Sequence, residues 1–349
     1  MTSILLNGRR IGPGCPVYIV AEISANHNQH FDQAVQLIHA AKEAGADAVK
    51  LQTYTADTLT IDCNNEYFRI GTGTLWEGKN LFQLYGEAFT PWEWQPKLME
   101  IAKGLKLDLF STPFDATAVD FLEKIGVPAY KIASFEIVDL SLIQLVADTQ
   151  KPIILSTGMA TLAEIDEAVQ TVREAGGTQL ALLKCTSAYP ALPDEMNLHT
   201  IPHLAEAFDV PVGLSDHTLD IAVPVAAVAL GACIIEKHFT LSRADGGPDS
   251  AFSLEPQEFK TMVEAVRVVE KALGKVHYGV SAEESRSRVF RRSLFVVRDM
   301  KAGDVFTEEN VRSIRPGYGL HTRYLTEVLG RVAGCDIKRG TPLSWELIK

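Results

Sequence analysis

The chain has 349 residues, 46% of them hydrophobic and 22% charged, and its formal net charge is −11 at pH 7. This composition is ordinary for a globular protein, and the negative charge excludes a general affinity for nucleic acid or anionic lipid. No apolar run has the length of a membrane span or the form of a cleavable leader. The spacing of the five cysteines does not match a metal site. Free cysteines are typical of a reducing compartment, so we expect a cytoplasmic protein.

The first predicted element is a small hairpin in MTSILLNGRRIGPG, turning at Asn7-Gly8, a pair that favours tight turns between strands. Eight short apolar runs follow, alternating with helical patterns. The runs are VYIVAEIS (17–24), AVKLQTY (48–54), DLFSTPF (108–114), AYKIAS (129–134), PIILSTGM (152–159), LALLKCT (180–186), PVGLSDHT (211–218) and ACIIEKHF (232–239). Several of the helical patterns close on glycine, which is typical of a helix C-terminus.

Near-continuous apolar strands that alternate with helices predict a parallel sheet covered on both faces. Eight such units predict a (β/α)8 TIM barrel. The alternative is a doubly wound open sheet, which would normally carry a glycine-rich phosphate loop after its first strand. The segment AEISANHNQ contains no glycine, so the barrel is favoured.

Two interruptions of the pattern predict the domain organisation. A long insertion between Tyr54 and Trp92, rich in aromatic residues and glycine, follows the second strand, and in a barrel it would lie over the catalytic face. The charged segment SAEESRSRVFRR then separates the barrel from short strands and turns. We expect a barrel domain at 1–280, a linker at 281–291 and a small β-rich domain at 292–349.

Two histidines stand near the ends of successive strands, in PVGLSDHT and ACIIEKHF. Ser215 alternates with His217, and Glu236 alternates with His238, so each pair shares one face of its strand. One rim of the barrel could therefore present two imidazoles and a carboxylate to a common point. Because imidazole is a favoured ligand of first-row divalent metals, we expect a metal site here.

Almost every strand ends in a polar group, and active sites of barrels form at these ends. Lys50 and Lys131 lie inside strands, so they need an anionic partner, and with nearby hydroxyls they predict a phosphate or carboxylate site. A phosphate-bearing anion beside a metal indicates carbon–carbon bond chemistry of the aldolase or enolpyruvate type. A Schiff-base mechanism with Lys131 or Lys184 as the nucleophile is the alternative.

Nine segments in order, AEISANHN, GADAVKLQTY, FSTPFD, YKIAS, STGMA, KCTSAYP, GLSDHT, IEKHFTL and GPD, resemble the sialic acid synthase family. The tail resembles the antifreeze-like (SAF) domain of that family through RRSL and RPGYGL. Within the family, GTLWEGKNLFQLYGEAFTPWEW and GGPDSAFSLEPQEF are most similar to the subgroup that makes pseudaminic acid. The expected fold is thus a (β/α)8 barrel followed by a small C-terminal SAF domain.

The resemblance implies a transferase that condenses phosphoenolpyruvate with an open-chain amino sugar, giving a nine-carbon 2-keto acid and, by C–O cleavage, phosphate. For the pseudaminic acid subgroup the sugar is 2,4-diacetamido-2,4,6-trideoxy-L-altrose, and N-acetylneuraminate or legionaminic acid synthesis on the same scaffold is the alternative. The implied metal is Mn²⁺, with Mg²⁺ or Co²⁺ as alternatives, and no Schiff base is required. A more distant alternative is a carbohydrate-binding barrel without catalysis.

The roles of the family transfer to this chain motif by motif. The implied metal ligands are His217 and His238, and Glu22 and Glu236 become candidates for proton transfer or for holding a sugar hydroxyl. The implied contacts to phosphoenolpyruvate are Lys50, Thr112, Lys131, Ser134, Ser156, Ser187 and Ser215, of which Lys50 and Lys131 are also assigned to the catalytic set. The implied sugar contacts are Gln52, Tyr189, Glu236 and Asp249. In many relatives Asn stands at the position of Ser187.

Arg315 of RPGYG is implied to act in the active site of a partner subunit. In the family the SAF domain reaches across a dimer and supplies this arginine. The resemblance therefore implies a domain-swapped homodimer, whose packing would keep so small a domain folded. The alternative is a surface arginine in a Pro-Gly turn.

Overall fold

The structure is a computed structural model that describes residues 3–71, 73 and 75–349. The chain divides into two compact units, Met1–Gly274 and Lys275–Lys349. Four positions discussed as part of predicted segments lie outside the described residues: Met1, Thr2, Thr72 and Thr74. The described helices include none that is long and apolar enough to cross a membrane.

The first unit opens with the predicted hairpin, made of β1 (Ile4–Leu6) and β2 (Arg9–Ile11) in antiparallel register. Its turn takes positive φ at both central residues, 47° at Asn7 and 79° at Gly8. Both residue types tolerate this conformation, which gives the turn the twist that two adjacent strands require.

Eight parallel strands close into a barrel after the hairpin, with β10 hydrogen-bonded to both β9 and β3. The closed ring confirms the predicted (β/α)8 fold, and the open-sheet alternative is wrong. The strands are β3 (Tyr18–Glu22), β4 (Ala48–Thr53), β5 (Asp108–Pro113), β6 (Tyr130–Ile132), β7 (Ile153–Ser156), β8 (Leu180–Cys185), β9 (Val212–Asp216) and β10 (Ile234–His238).

Helices surround the barrel and connect successive strands. They are α1 (Phe31–Glu43), α2 (Ala56–Leu59), α3 (Leu81–Ala88), α4 (Gln95–Gly104), α5 (Ala116–Ile125), α6 (Leu140–Asp148), α7 (Leu162–Glu174), α8 (Thr200–Phe208), α9 (Ala222–Ala229) and α10 (Pro256–Leu273). As predicted, glycines with positive φ follow α1, α5 and α7, at Gly45, Gly126 and Gly176. Such a residue ends a helix because it turns the chain without a Cβ clash.

The lumen of the barrel is apolar at the amino ends of the strands and polar at their carboxyl ends. Its apolar layer is one buried cluster that includes Val20, Ala48, Phe110, Ala129, Ile154, Ala181, Leu183 and Ile234. The hairpin side chains Ile4, Leu6 and Ile11 belong to the same cluster, and each is 1% exposed or less, so the hairpin covers the amino end. Since side chains alternate along a strand, the next inward residues toward the carboxyl ends form the polar layer.

The insertion after β4 packs over the carboxyl ends of the strands. Trp76 donates a hydrogen bond from Nε1 to the Pro248 carbonyl, 2.9 Å away, in the loop that follows β10. Its ring also lies 6.0 Å from that of Tyr189, in the loop after β8. The insertion returns to the barrel where Trp92 donates to the Tyr54 carbonyl. These contacts place the insertion at the end of the barrel that carries the polar layer.

The second unit contains α11 (Ala282–Ser287), β11 (Ser293–Val296), β12 (Val311–Ile314) and α12 (Leu325–Val328). β11 and β12 pair antiparallel, and a small core forms around them. The segment predicted to be a linker contains α11, an exposed helix with a capping box at Ser281.

Gly213 of β9 offers a test of strand packing in the barrel. A Cβ added there would lie 2.4 Å from the Ile234 carbonyl oxygen and 2.7 Å from Leu183 Cδ2, so Gly213→Ala must displace a neighbouring strand. We expect a loss of about 1–3 kcal/mol in the free energy of unfolding, measured in urea. The control is Gly86→Ala in α3, where the new methyl meets nothing within 4 Å and helix propensity favours alanine. Equal unfolding midpoints for the two variants would contradict this packing.

Candidate active site

The two predicted histidines lie side by side on adjacent strands. His217 follows β9 and His238 ends β10, and their ring centroids are 5.3 Å apart. His217 Nδ1 lies 2.9 Å from the Thr186 carbonyl oxygen, which can only accept, so Nδ1 carries a proton, and in the neutral imidazole Nε2 is the nitrogen with the lone pair. Among the described residues, Nδ1 of His238 is buried and has no hydrogen-bond partner.

This pair fits a divalent cation of the first transition row. A backbone carbonyl that fixes one ring nitrogen of a histidine is a common support for a metal ligand. Burial, and then the neighbouring His217, hold the pKa of His238 well below its ordinary value, which keeps that imidazole neutral. Within the described residues no group of three or more His, Cys, Asp or Glu forms a metal site, so an ion held here would keep open positions for oxygen ligands.

A second cluster lies in the lumen, where Lys50 stands between two buried carboxylates. Its Nζ is 2.5 Å from Glu22 Oε2 and 3.1 Å from Glu236 Oε1. The three side chains come from β4, β3 and β10, and each is at most 5% exposed. Ser215 donates to the same oxygen of Glu236 from 3.1 Å. Among the described residues, the other carboxylate oxygen of Glu236 has no hydrogen-bond partner.

Burial and charge act against each other in this cluster. Burial raises the pKa of Glu22 to about 7, even though Lys50 acts in the opposite direction. Burial would also raise the pKa of Glu236, but Lys131 and Lys50 outweigh it and hold that pKa below its ordinary value. Burial opposes the charge of Lys50, yet Glu22 and Glu236 raise its pKa above the ordinary value. The two carboxyls therefore differ in proton affinity although one ammonium contacts both.

Lys131 lies next to this cluster among hydroxyl groups. It donates to Ser156 Oγ over 2.6 Å and lies 3.8 Å from Glu236 Oε1, and burial lowers its pKa to about 8. Ser134 accepts a hydrogen bond from the Gly158 amide, and a Cβ at Gly158 would lie 2.7 Å from Ser134 Oγ and 2.3 Å from Ser187 Oγ. The hydroxyl of Thr112 is buried without a partner among the described residues. Donors thus surround a small space beside two lysines.

Apart from Glu236, which belongs to the lumen cluster, the residues predicted to contact a sugar lie around the same end of the barrel. The Tyr189 ring lies 4.5 Å from His217 and 5.1 Å from Phe252. Asp249 accepts hydrogen bonds from the Ser24 hydroxyl and the Ala25 amide. Gln52 follows Lys50 by two positions on β4 and so points into the lumen as well, where it is half-buried.

Two residues that sequence reasoning missed join the site. Glu136, in the turn after β6, has a buried carboxylate oxygen without a partner among the described residues, and burial raises its pKa to about 7 despite Lys131. Cys185 Sγ lies 3.9 Å from His217 Nδ1 and 3.8 Å from Ser187 Oγ. Cys185 could have been found from its alternation with the inward Leu183 on β8. Nothing in the pattern indicates the position of Glu136, because the chain leaves the strand before it.

Lys184, one of the two lysines considered as a Schiff-base nucleophile, does not join the cluster. It stands between Leu183, which belongs to the lumen layer, and Cys185, which contacts His217, so its side chain leaves the opposite face of β8. Its Nζ donates to the Cys185 carbonyl and the Thr186 hydroxyl. Lys184 thus lies outside the lumen cluster, which disfavours the alternative in which it is the Schiff-base nucleophile.

Arg315 belongs to the second unit, directly after β12. It is exposed, and no hydrogen bond or ion pair of its guanidinium occurs within the described part of the chain. The structure thus leaves its predicted role in a partner's active site as a prediction.

Replacing Lys50 by an uncharged residue should destabilise the fold, because the buried carboxylates of Glu22 and Glu236 would lose their cationic partner. We expect Lys50→Met to lower the free energy of unfolding by about 3–5 kcal/mol, since it leaves buried charge unpaired. Adding Glu22→Gln should restore part of the loss. The matched control is Lys151→Met, which breaks a more exposed pair with Glu123 and should cost at most about 1 kcal/mol. Urea denaturation of the four proteins checks this, and a loss for Lys50→Met no larger than that of the control would contradict it.

Comparison with known proteins supports the same reading of the chain. Residues 37–278 match the NeuB family, and residues 291–349 match the SAF domain. The pseudaminic acid synthase of Helicobacter pylori is 47% identical over 94% of this chain and 97% of its own length. The N,N'-diacetyllegionaminic acid synthase of Legionella pneumophila is 38% identical over 97% of this chain and 96% of its own.

A solved structure also matches the fold. The N-acetylneuraminic acid synthetase of Leptospira borgpetersenii, determined in complex with citrate, gives a TM-score of 0.72 at 33% identity and covers 82% of this chain and 95% of that one. The family match extends over more than half of the residues, and the resemblance that the motifs predicted is confirmed. On these grounds the chain belongs to the NeuB family and ends in a SAF domain.

Proposed function

We propose that this enzyme condenses phosphoenolpyruvate with 2,4-diacetamido-2,4,6-trideoxy-L-altrose to give pseudaminic acid and phosphate. The observation that carries the proposal is the convergence of Lys50, Lys131, His217 and His238 on one end of the barrel lumen. The identity to a pseudaminic acid synthase, 47%, exceeds the 38% to a legionaminic acid synthase, which favours this sugar over the alternatives.

The phosphoenolpyruvate site is formed by the two lysines and the hydroxyls beside them. A doubly charged phosphate and a carboxylate would add anionic partners to the buried ammonium groups, whose burial carries a large desolvation cost. Ser134, Ser156, Ser187 and Thr112 supply donors at short range. The partnerless hydroxyl of Thr112 supports the proposal, because buried polar groups are normally hydrogen-bonded.

His217 and His238 would hold the divalent cation, which we propose to be Mn²⁺. When bound, such an ion polarises the aldehyde oxygen of the sugar. The Thr186 carbonyl fixes the His217 ring, so that Nε2 is the atom available to the ion. The closed lumen beneath the site limits the entry of water.

The reaction needs proton transfers, and we propose Glu22 and Glu236 for them. C3 of phosphoenolpyruvate bonds to the aldehyde carbon, whose oxygen takes up a proton. Water adds at C2 and gives up one proton, which balances the proton taken up by the aldehyde oxygen. The bond between C2 and the phosphate oxygen then breaks, the C2 hydroxyl loses its proton to become the keto group, and the phosphate leaves with that proton. Glu22 and Glu236 both contact Lys50, so a proton gained by one carboxyl can be compensated within the same cluster.

On the sugar side, we propose that Gln52, Tyr189, Glu236 and Asp249 hold the polar groups and that Trp76 forms an apolar wall. Trp76 contacts Tyr189, and Tyr189 contacts His217. The three rings thus form a row that begins at the proposed position of the aldehyde and ends at Trp76. A sugar without a hydroxyl at C6 suits such a wall, since no polar group is left unpaired against it.

A turnover comparison tests this function. With phosphoenolpyruvate and Mn²⁺, we expect phosphate release to be fastest with the trideoxy-altrose sugar, and His217→Ala or His238→Ala to lower it by at least about 100-fold. The control is His199→Ala, an exposed histidine outside the site. Preference for N-acetylmannosamine would instead assign N-acetylneuraminate synthesis. Absence of phosphate release with every sugar would favour the carbohydrate-binding barrel.

We propose that the enzyme works as a domain-swapped homodimer in which Arg315 reaches the partner's site. In the second unit Val276 is 88% and Tyr278 97% exposed, and contact with a partner subunit would remove these apolar side chains from water. We also place the enzyme in the cytoplasm, because its five cysteines are free, as a reducing compartment would keep them.

Mixed dimers test the role of Arg315. Arg315→Ala and Lys131→Met should each be inactive alone, whereas a co-expressed, doubly tagged heterodimer should regain about half of the wild-type activity, because one of its two sites is intact. A heterodimer that stays at the level of its parents would show that Arg315 does not act across subunits. Size-exclusion chromatography with light scattering verifies that each preparation is a dimer.

A further inference from the structure

Lys237 is a fully buried lysine that the proposed mechanism does not use. It stands between Glu236 and His238 on β10, and since these two side chains enter the lumen, Lys237 leaves the other face of the strand. Its side chain is 0% exposed, and so is that of Asp216, its ion-pair partner. A lysine is almost never buried to this extent without a specific set of partners.

Three acceptors meet the ammonium group, and all belong to the residues on either side of His217. Nζ lies 2.5 Å from Asp216 Oδ2, donates to the Thr218 carbonyl and lies 3.4 Å from Thr218 Oγ1. Asp216 in turn accepts a hydrogen bond from the Thr218 amide over 2.9 Å. One ammonium therefore contacts the side chain of the residue before His217 and the backbone of the residue after it.

Further contacts fix the same region from the lumen side. The Thr186 carbonyl holds the ring of His217, and Ser215 bonds to Glu236 across β9 and β10. The two strands are thus joined on both faces at the level where their imidazoles enter the lumen. Because His238 follows Lys237 directly, the position of one imidazole relative to the other depends on the Lys237 contacts.

Stability alone is a weak reason for this ion pair. Replacing a buried pair by apolar residues is often neutral or stabilising, because the desolvation of two charges offsets their attraction. On the same face of β10 the flanking side chains, Ile235 and Phe239, are apolar and fully buried, so an apolar side chain at this position would pack beside them. The pair is better explained by the geometry that its several hydrogen bonds impose.

We propose that Lys237 is a positioning residue of the metal site: by binding Asp216 and Thr218 it sets the place of His217 opposite His238, so that both rings reach one divalent cation. The inference rests on the proposed metal site. In this proposal the contacts of Lys237, on the outer face of the barrel, contribute to metal affinity by orienting the two ligands.

The test measures Mn²⁺ binding rather than turnover. The double variant Lys237→Met with Asp216→Asn removes both charges and keeps an oxygen for the Thr218 amide. We expect its dissociation constant for Mn²⁺ to rise by about 10–100-fold, measured on the chelator-stripped protein from the electron paramagnetic resonance signal of free Mn²⁺. Binding of phosphoenolpyruvate without metal should stay within about twofold of the wild type, because the Lys50 and Lys131 region is not altered.

The matched control is Asp47→Asn, which breaks pairs with Arg9 and Arg267 away from the histidines. It should lower the melting temperature and leave the Mn²⁺ dissociation constant unchanged. Lys237→Arg is the second variant in case the double variant does not fold, since a guanidinium keeps the charge but cannot place its donors on the same acceptors.

Two outcomes would overturn the proposal, and only the second would also overturn the proposed metal site. Wild-type Mn²⁺ affinity in whichever variant melts as a folded protein would show that Lys237 does not position the ligands, and the metal site would stand. Failure of the wild-type protein to bind Mn²⁺, Mg²⁺ or Co²⁺ would remove the metal site itself.

Discussion

The contact of Lys50 with Glu22 and Glu236 is the interaction on which the site depends. The three residues come from β4, β3 and β10, so the cluster lies where the last strand of the barrel meets the first. Buried charges are tolerated only when they are paired, and here a single cation serves two carboxylates. The pairing of β10 with β3 closes the barrel and also sets the distances within this cluster, because a shift of one strand against the other would separate the charges.

The same arrangement explains why the proton affinities in the lumen differ from those in water. Burial dominates at Glu22, Glu136 and Lys131 and favours their neutral forms. At Glu236 the two lysines outweigh burial. Groups of the same chemical type therefore hold protons with different strength within a few ångströms, which is the condition under which acid and base roles can be divided.

Much of this organisation is legible in the sequence because strands alternate their side chains with a period of two. Apolar bodies followed by polar ends predicted both the barrel and the meeting of His217 with His238. The period leaves open which of the two faces is the lumen, so the sequence alone does not separate Lys184 from Lys131. The register of neighbouring strands decides that question, and register depends on contacts between distant parts of the chain. The alternation within strands does not predict the position of Glu136, because this residue lies in the turn after β6.

The hairpin that covers the amino end of the barrel has a consequence for the order of events. Ile4, Leu6 and Ile11 cover that end, so among the residues that the structure describes the polar layer faces the opposite end of the barrel. Lys50 and Lys131, which would bind phosphoenolpyruvate, are buried in the lumen, whereas Tyr189 and Trp76 are only partly buried and lie in the loops above it. We infer that phosphoenolpyruvate, held by the buried lysines, would bind before the sugar, because a sugar bound nearer the opening would cover the deeper position.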